Sequence, residues 1–591
     1  MMVKRGSRSA RVGLRVISVV ILLAVADYGA FGWSSVSAFC PEQRCSLFSE
    51  QQARLRCCSR ITSRHEKSSR QTVMTLSPAR EDVGTRQANV EELKELPKDR
   101  TFSIWGALNE FTYPGNRPAK TTSKAYDEFA LETAGAWQKR VLGFLPTTIV
   151  AFPKAINWMK KAEANNKLET AWPDSLIALA GDRCILSNVY TVAEHESARA
   201  LFLKAIGPSS VLSIKPLVES HMEKYTKILE GYAASGEQFQ MVPIVRQFAL
   251  DVIIACSLGD VPPDELEVIR SGYGKMVPAV LSFPKALPWP LSRTPLAKVR
   301  LFNYGYAMEQ RAIISKVISD IIDRRRQELS SGAKIESKYV VDMSLEKQAE
   351  QWANGGPEEG ESVIDNKFIV DNVMAFLFAG QGTSVTVISR LVHILTVPEL
   401  KDDAGKILEE VFTKELKMAS EASGGLFSNF PLVQSVTHES VRLFPPSPGV
   451  FRRPLEDLEF NGYKIAKGSS LFWTTLESSM SEKLYPDPER ICPLRFVNHR
   501  RPAPSIADSA GATRSPVEPG QPRPPMFGIG RHFCPARELS KLEVIVFLKS
   551  VFGAFDLHLV EGQDLRGNFV ENLPRSGLQL TVSKKNLIAS G

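Results

Sequence analysis

The stretch Phe527-Gly-Ile-Gly530-Arg531-His532-Phe-Cys534-Pro-Ala536-Arg decides how the rest of this 591-residue chain is read. An aromatic residue, two glycines and a basic pair lead into one cysteine, and a helix-forming run from Arg537 to Phe547 follows. Glycine allows the tight, close-approaching backbone that a flat ligand requires. Arg531 and His532 can neutralise carboxylates, and the start of the next helix turns amide dipoles toward the sulfur, favouring its anionic form. The pattern suits a loop that presents a thiolate to a metal held in a flat, anionic cofactor. A free cysteine is more often a small buried hydrophobe, and Gly528 to Phe533 also mimics half of a dinucleotide fingerprint. The stretches upstream therefore carry weight.

Ala379-Gly380-Gln381-Gly382-Thr383-Ser384 sits inside a helical pattern running from Ile364 to Leu395 and ended by Pro398. Each glycine there costs about 1 kcal/mol of helix stability and needs a reason. His438-Glu439-Ser-Val-Arg442-Leu-Phe-Pro-Pro places Glu439 and Arg442 on one helical face. An exposed pair at that spacing is worth a few tenths of a kcal/mol. Val441, Leu443 and Phe444 suggest burial, where breaking a pair costs about 3–5 kcal/mol. Pro486-Asp-Pro-Glu-Arg-Ile-Cys-Pro-Leu-Arg495-Phe496 follows.

With these motifs in this order, the chain resembles the cytochrome P-450 (haem-thiolate) family over about residues 125 to 585. The family carries Phe-x-x-Gly-x-Arg-x-Cys-x-Gly, Glu-x-x-Arg and Pro-x-Arg-Phe. The resemblance implies a mainly α fold with small β-sheets, a long central helix over the haem and a cysteine-ligand loop beneath it. It makes Cys534 the axial thiolate of haem b, with Phe527, Gly530, Arg531 and His532 around it. Glu439, Arg442 and Arg495 become a structural triad behind the haem. His195 and Arg199, four apart in Glu194-His195-Glu-Ser-Ala-Arg199, and Arg452 in Gly449-Val-Phe-Arg452-Arg453 match propionate contacts. The competing account of His195 is a solvated charged face shared with Glu194 and Glu196. Ala379 to Gly382 fall where the family's helix opens to hold oxygen, and Thr383 falls on its proton-relay threonine. A threonine hydroxyl bonded to its own helix backbone is the plain alternative.

Three departures stand out. The acid that usually precedes the relay threonine is Gly382 here. General acid–base help is worth about 10²–10⁴ in rate, so Gln381 or an ordered water has to replace it if oxygen is activated. Otherwise the resemblance leaves a hydroperoxide isomerase or lyase, or a non-catalytic haem-binding protein. The usual arginine two before the cysteine is His532, which could make haem retention pH-sensitive, and the usual glycine two after it is Ala536.

The family activity implied is insertion of one oxygen atom from O2 into a lipophilic substrate. Pro445-Pro-Ser-Pro-Gly-Val-Phe-Arg and Asp457-Leu-Glu-Phe-Asn-Gly-Tyr-Lys-Ile resemble relatives acting on isoprenoid-, sterol- or carotenoid-like molecules. No fused electron-transfer module is evident, so a ferredoxin or a flavoprotein reductase is the expected donor.

Composition is ordinary for a globular chain, 43% apolar and 23% charged. The net charge of +8 comes from the leader: residues 1 to 80 hold 13 Lys/Arg against 4 Asp/Glu, and the remainder 60 against 61. Nucleic-acid binding has no support from this balance. Five basic residues precede the uncharged run Val16 to Ala26, about 16 Å as a helix and half a bilayer core. Residues 1–38 read as a signal peptide and 39–80, rich in Arg, Ser and Thr, as a transit peptide. The pair resembles the leader of a protein entering a complex algal plastid through the secretory pathway. An endoplasmic-reticulum membrane anchor, with peripheral membrane association of the domain, is the alternative. Four of the eight cysteines lie in this leader, and the others show no CxxC pair, so neither a disulfide framework nor a zinc site is expected.

Residues 81–125 read as a polar lead-in and 126–591 as one catalytic domain with a proline-rich insert at 501–525. Strands are expected at Thr147 to Phe152, at Arg183 to Asn188, and on either side of an Asn461-Gly462 turn. Helices dominate from Val192 to Leu329, broken at Pro208, Pro243, Pro262 and a proline cluster at 284–295. A surface loop is expected over 330–362 and a helix from Asn429 to Phe444.

Overall fold

The computed structural model describes residues 93–98, 135–277, 304–331, 339–414, 426–497, 522–567 and 572–585, apart from short gaps at 142–144, 154, 173, 188, 448 and 477. The signal and transit segments, the 284–295 proline cluster and nearly all of the 501–525 insert lie outside the described residues. The described residues all belong to one compact unit within Gln87 to Gly591.

Twelve α-helices are described: α1 Ile156–Ala164, α2 Asp174–Ala180, α3 Val192–Ile206, α4 Val211–Ser235, α5 Met241–Leu258, α6 Pro263–Met276, α7 Tyr304–Ser330, α8 Val340–Ala353, α9 Asn366–Thr396, α10 Lys401–Thr413, α11 Pro431–Leu443 and α12 Arg537–Ala554. The centre is α9 packed along α5. Both are long and apolar enough to cross a bilayer, yet most of each is buried within the domain. A helix hydrophobic all round belongs in a core, and Phe248, Val252, Val373, Leu377, Ile388 and Leu391 build this one with Phe547 of α12. The Asp365 side chain accepts the Phe368 amide at 2.7 Å and starts α9.

The main sheet joins β2 (Ala136–Val141), β3 (Leu145–Ala151), β9 (Ser470–Thr474), β6 (Gly449–Pro454) and β4 (Leu168–Thr170), in that spatial order. Only β3 and β9 run parallel. A second sheet places β1 (Lys94–Glu95) beside β8 (Tyr463–Ile465) and β7 (Leu458–Phe460). Asn461 and Gly462, both at positive φ, make the two-residue turn of that hairpin. The polar lead-in thus contributes a strand, and its Leu96 is buried. A third sheet joins β10 (Phe555–Leu559), β11 (Gln579–Lys584) and β5 (Phe239–Gln240).

Four local expectations change. Residues 183–187 form turns, not a strand, because α9 side chains take their amides: Asp371 accepts from Arg183 at 3.0 Å and Asn372 from Ile185 at 2.9 Å. The expected 330–362 loop contains α8, whose Val340, Val341, Met343, Leu345, Gln348 and Gln351 are buried, as is Asp342, while Glu346 and Glu350 face out. Pro243 lies in the first turn of α5, where a missing N–H costs nothing, and α4 runs through Pro216. Finally, α9 is continuous across 379–383, so no opening interrupts it.

Candidate active site

The cysteine loop is closed by its own backbone. The Cys534 amide donates to the Phe527 carbonyl at 3.0 Å, and Gly528 and Gly530 take φ of 77° and 69°. A side chain at Gly530 would also collide with the Glu163 carboxylate of α1. Burial pushes the Cys534 thiol up, while the Ala536 amide, Arg199 and Arg537 pull it down. Burial wins in the bare site, and a bound cation is what would tip the sulfur to thiolate.

Basic side chains from α3, β6 and the loop itself converge here. The His195 ring of α3 lies edge-on to His532, with centroids 4.5 Å apart, and His195 Nδ1 is buried with no hydrogen-bond partner among the described residues. The two acids flanking His195 do not neutralise it. Glu194 is committed to a capping box with Thr191, and Glu196 is exposed, 3.8 Å from Arg531. Burial, with Arg199 and Arg531 adding to it, pushes His195 down to about 4. Burial and Arg452 push His532 down to about 2. Both shifts favour the neutral ring, which weighs against the pH sensitivity expected of His532. Arg199 is half-buried, and burial pushes its guanidinium down, with Cys534 acting against that.

Arg452 of β6, expected as a propionate partner, is buried and already paired. Its Nε donates to Glu163 Oε1 at 2.7 Å and its Nη1 to the Phe451 carbonyl at 2.9 Å. Glu163 Oε2 accepts the Arg531 amide at 3.2 Å, and the Glu163 carbonyl accepts from Arg531 Nη2 at 3.0 Å. Sequence reasoning missed Glu163, which sits 368 positions from Arg531 with no motif around it.

Behind the loop, Glu439 and Arg442 form a two-bond pair at 2.8 Å with no exposed side-chain surface. Arg495 Nε reaches the same carboxylate at 3.1 and 3.2 Å, and the Cys492 amide donates to it at 2.9 Å. The remaining guanidinium donors go to carbonyls of Ser479 and Pro488 from Arg442, and of Pro486 and Asp487 from Arg495. The three side chains thus tie α11 to the irregular 479–496 segment. Ser435 adds a bond to the Pro493 carbonyl.

On α9, the half-buried Thr383 donates its hydroxyl to the Ala379 carbonyl at 2.6 Å. Gly380 faces α5, where an added Cβ would meet Ile253 Cγ1 at 2.9 Å, so close helix packing accounts for this glycine. Gln381 is buried on the α5 side, with Oε1 3.5 Å from Arg246 Nη1. It points away from the face that carries Thr383, because residues two apart on a helix do not share a face. Gln381 therefore does not stand in for the missing acid. Ser384, one residue on, donates to the buried Glu543 of α12 at 2.6 Å. That bond ties the helix after Cys534 directly to α9, and burial pushes the Glu543 carboxyl up to about 8.

The arrangement fits a haem. It offers a thiol on a glycine-turned loop, a neighbouring group of guanidinium side chains and an orphaned buried imidazole nitrogen, the complement of a flat dianion over a sulfur ligand.

Comparison with known proteins agrees. A family model for cytochrome P450 matches residues 126–583. Taxane 13-alpha-hydroxylase of Taxus cuspidata is 24% identical over 506 residues, covering 85% of this chain and 94% of the relative. Beta-amyrin 28-monooxygenase of Barbarea vulgaris is 21% identical, covering 83% and 92%. Among solved structures, retinoic acid-bound cyanobacterial CYP120A1 superposes with a TM-score of 0.60 at 21% identity, over 83% of this chain and all of that one. The chain belongs to the cytochrome P450 family.

Proposed function

We propose that this P450 monooxygenase inserts one atom of O2 into a terpenoid-like, lipophilic substrate, with electrons from a separate ferredoxin or flavoprotein reductase. The observation that carries the chemistry is the convergence of His195, Arg199, Arg452 and Arg531 on the Cys534 loop. Haem supplies the activation of oxygen when bound. The protein's share is to hold the sulfur, neutralise the carboxylates and manage protons. Arg452 and Arg199 would hold propionates, with His195 Nδ1 as a further donor. The Thr383 hydroxyl, anchored to the Ala379 carbonyl, keeps its lone pairs for a proton-bearing water at the Gly382 gap. The substrate class is supported by relatives named for a taxane and for beta-amyrin. Turnover of a terpenoid panel under isotopically heavy dioxygen tests it: one heavy atom per product, strictly dependent on reductant and donor, is expected.

The Gly382 gap also favours a second reading, an isomerase or lyase that rearranges lipid hydroperoxides without reductant. Consumption of a fatty-acid hydroperoxide with no electron donor present would select that reading, and strict need for donor and O2 would remove it.

The leader's composition supports passage through the secretory pathway into a complex plastid. A fluorescent fusion of residues 1–80 should collect in plastids. Retention in a reticular membrane would instead favour an endoplasmic-reticulum anchor.

A further inference from the structure

Glu163 is a buried carboxylate set among guanidinium groups that the family chemistry calls on to meet haem carboxylates. It is 2% exposed at the end of α1. One oxygen takes Arg452 Nε, and the other takes the Arg531 amide in the turn that leads to Cys534. That turn is possible only because residue 530 is glycine, since its positive φ and the nearness of Glu163 both exclude a side chain. The clamp therefore has two halves, a charged one on β6 and a neutral one on the cysteine loop.

Glu163 brings a buried negative charge to this cationic site. Arg199, Arg452 and Arg531 bring three positive charges to the site. The two propionates of a haem bring two negative ones, and a ferric porphyrin with its thiolate is neutral overall. A guanidinium left without a counter-charge in a buried site is costly. Arg531 has the exposed Glu196 at 3.8 Å, whereas the buried partner of Arg452 is Glu163, which engages it through Nε alone. Arg452 Nη1 is spent on the Phe451 carbonyl, and among the described residues Nη2 has no acceptor. One edge of the guanidinium is held by protein and one nitrogen is kept for a ligand.

Resting on the haem-thiolate reading, we propose that Glu163 is a built-in counter-carboxylate of the haem site: it aligns Arg452 for a propionate, fixes the Gly530 turn, and lowers the haem reduction potential. The potential falls because a fixed negative charge beside the cofactor favours the oxidised iron, which carries one more positive charge than the reduced form. Glu163 is a positioning residue and touches no reacting atom.

The test is spectroelectrochemistry of the purified holoprotein. Glu163→Gln keeps the size and an acceptor for the Arg531 amide but removes the charge. It should retain the carbon-monoxide spectrum of thiolate ligation and show a more positive potential. Glu163→Asp keeps the charge on a shorter arm and should stay near the wild-type value. Glu163→Ala removes the clamp as well, and should lose haem to apomyoglobin several-fold faster than Glu163→Gln. If Glu163→Gln does not fold, Arg452→Gln gives the opposite charge change and should lower the potential. A haem-loaded Glu163→Gln protein with the wild-type potential overturns the proposal. A wild-type chain that takes up no haem is a different result, because it fails the haem reading before Glu163 is at issue.

Discussion

Glu439 accepts from Arg442, Arg495 and the Cys492 amide with no exposed surface of its own. Glu439→Gln leaves two buried guanidinium groups short of a counter-charge, which costs about 3–5 kcal/mol. Denaturant unfolding should show that loss, and the purified variant should carry less haem because α11 then holds the 479–496 segment less firmly. Glu543 gives a prediction in pH. Its carboxyl is pushed up from 4.5 to about 8 by burial, with the Ser384 bond acting weakly against that. The stability held by the neutral acid is fully present below 4.5 and is lost as pH rises through about 8. Melting temperature of the wild type should fall across that window by the equivalent of a few kcal/mol, and Glu543→Gln should flatten the fall. A parallel decline in both proteins would contradict the assignment. The triad and the cysteine loop were legible because their members lie within short motifs. Glu163 and Glu543 were not, because each acts on a partner more than 150 residues away and only the fold brings them together.

At the scale of elements, the α5–α9 contact sets the identity of Gly380. Alanine there gains about 1 kcal/mol of helix propensity but overpacks against Ile253, at a cost of about 1–3 kcal/mol. Gly380→Ala should therefore be destabilised by about 1 kcal/mol net. A double-mutant cycle with Ile253→Ala should be non-additive, and simple additivity would mean the two do not touch. The long α9 was readable from its apolar run and its Pro398 stop. Its continuity across 379–383 was not, since the glycines there suggested an opening and two different causes apply: helix contact at Gly380 and the acid gap at Gly382. α8 was missed because outward Glu and Lys interrupt its buried positions, so the segment looks like a charged loop until α3 and α9 are placed against it. The strand expected at 183–188 failed for a related reason: the α9 acid and amide side chains supply the hydrogen bonds a neighbouring strand would have given.

Across the molecule, a mainly helical domain with small sheets positions one sulfur among cations drawn from α3, β6 and the cysteine loop itself, and α12 carries that loop's end back to α9. The fold class was legible because four motifs in order constrain the chain from 379 to 534. The placement of α1 and β6 beside the loop came only from the tertiary structure. The most direct test of the account is the spectrum of the reduced, carbon-monoxide-bound protein, wild type beside Cys534→Ala. The wild type should show the red-shifted Soret band of a thiolate ligand, and Cys534→Ala should lose it. A wild-type band typical of an imidazole ligand, or one unchanged by Cys534→Ala, would contradict the claim that this sulfur binds the iron.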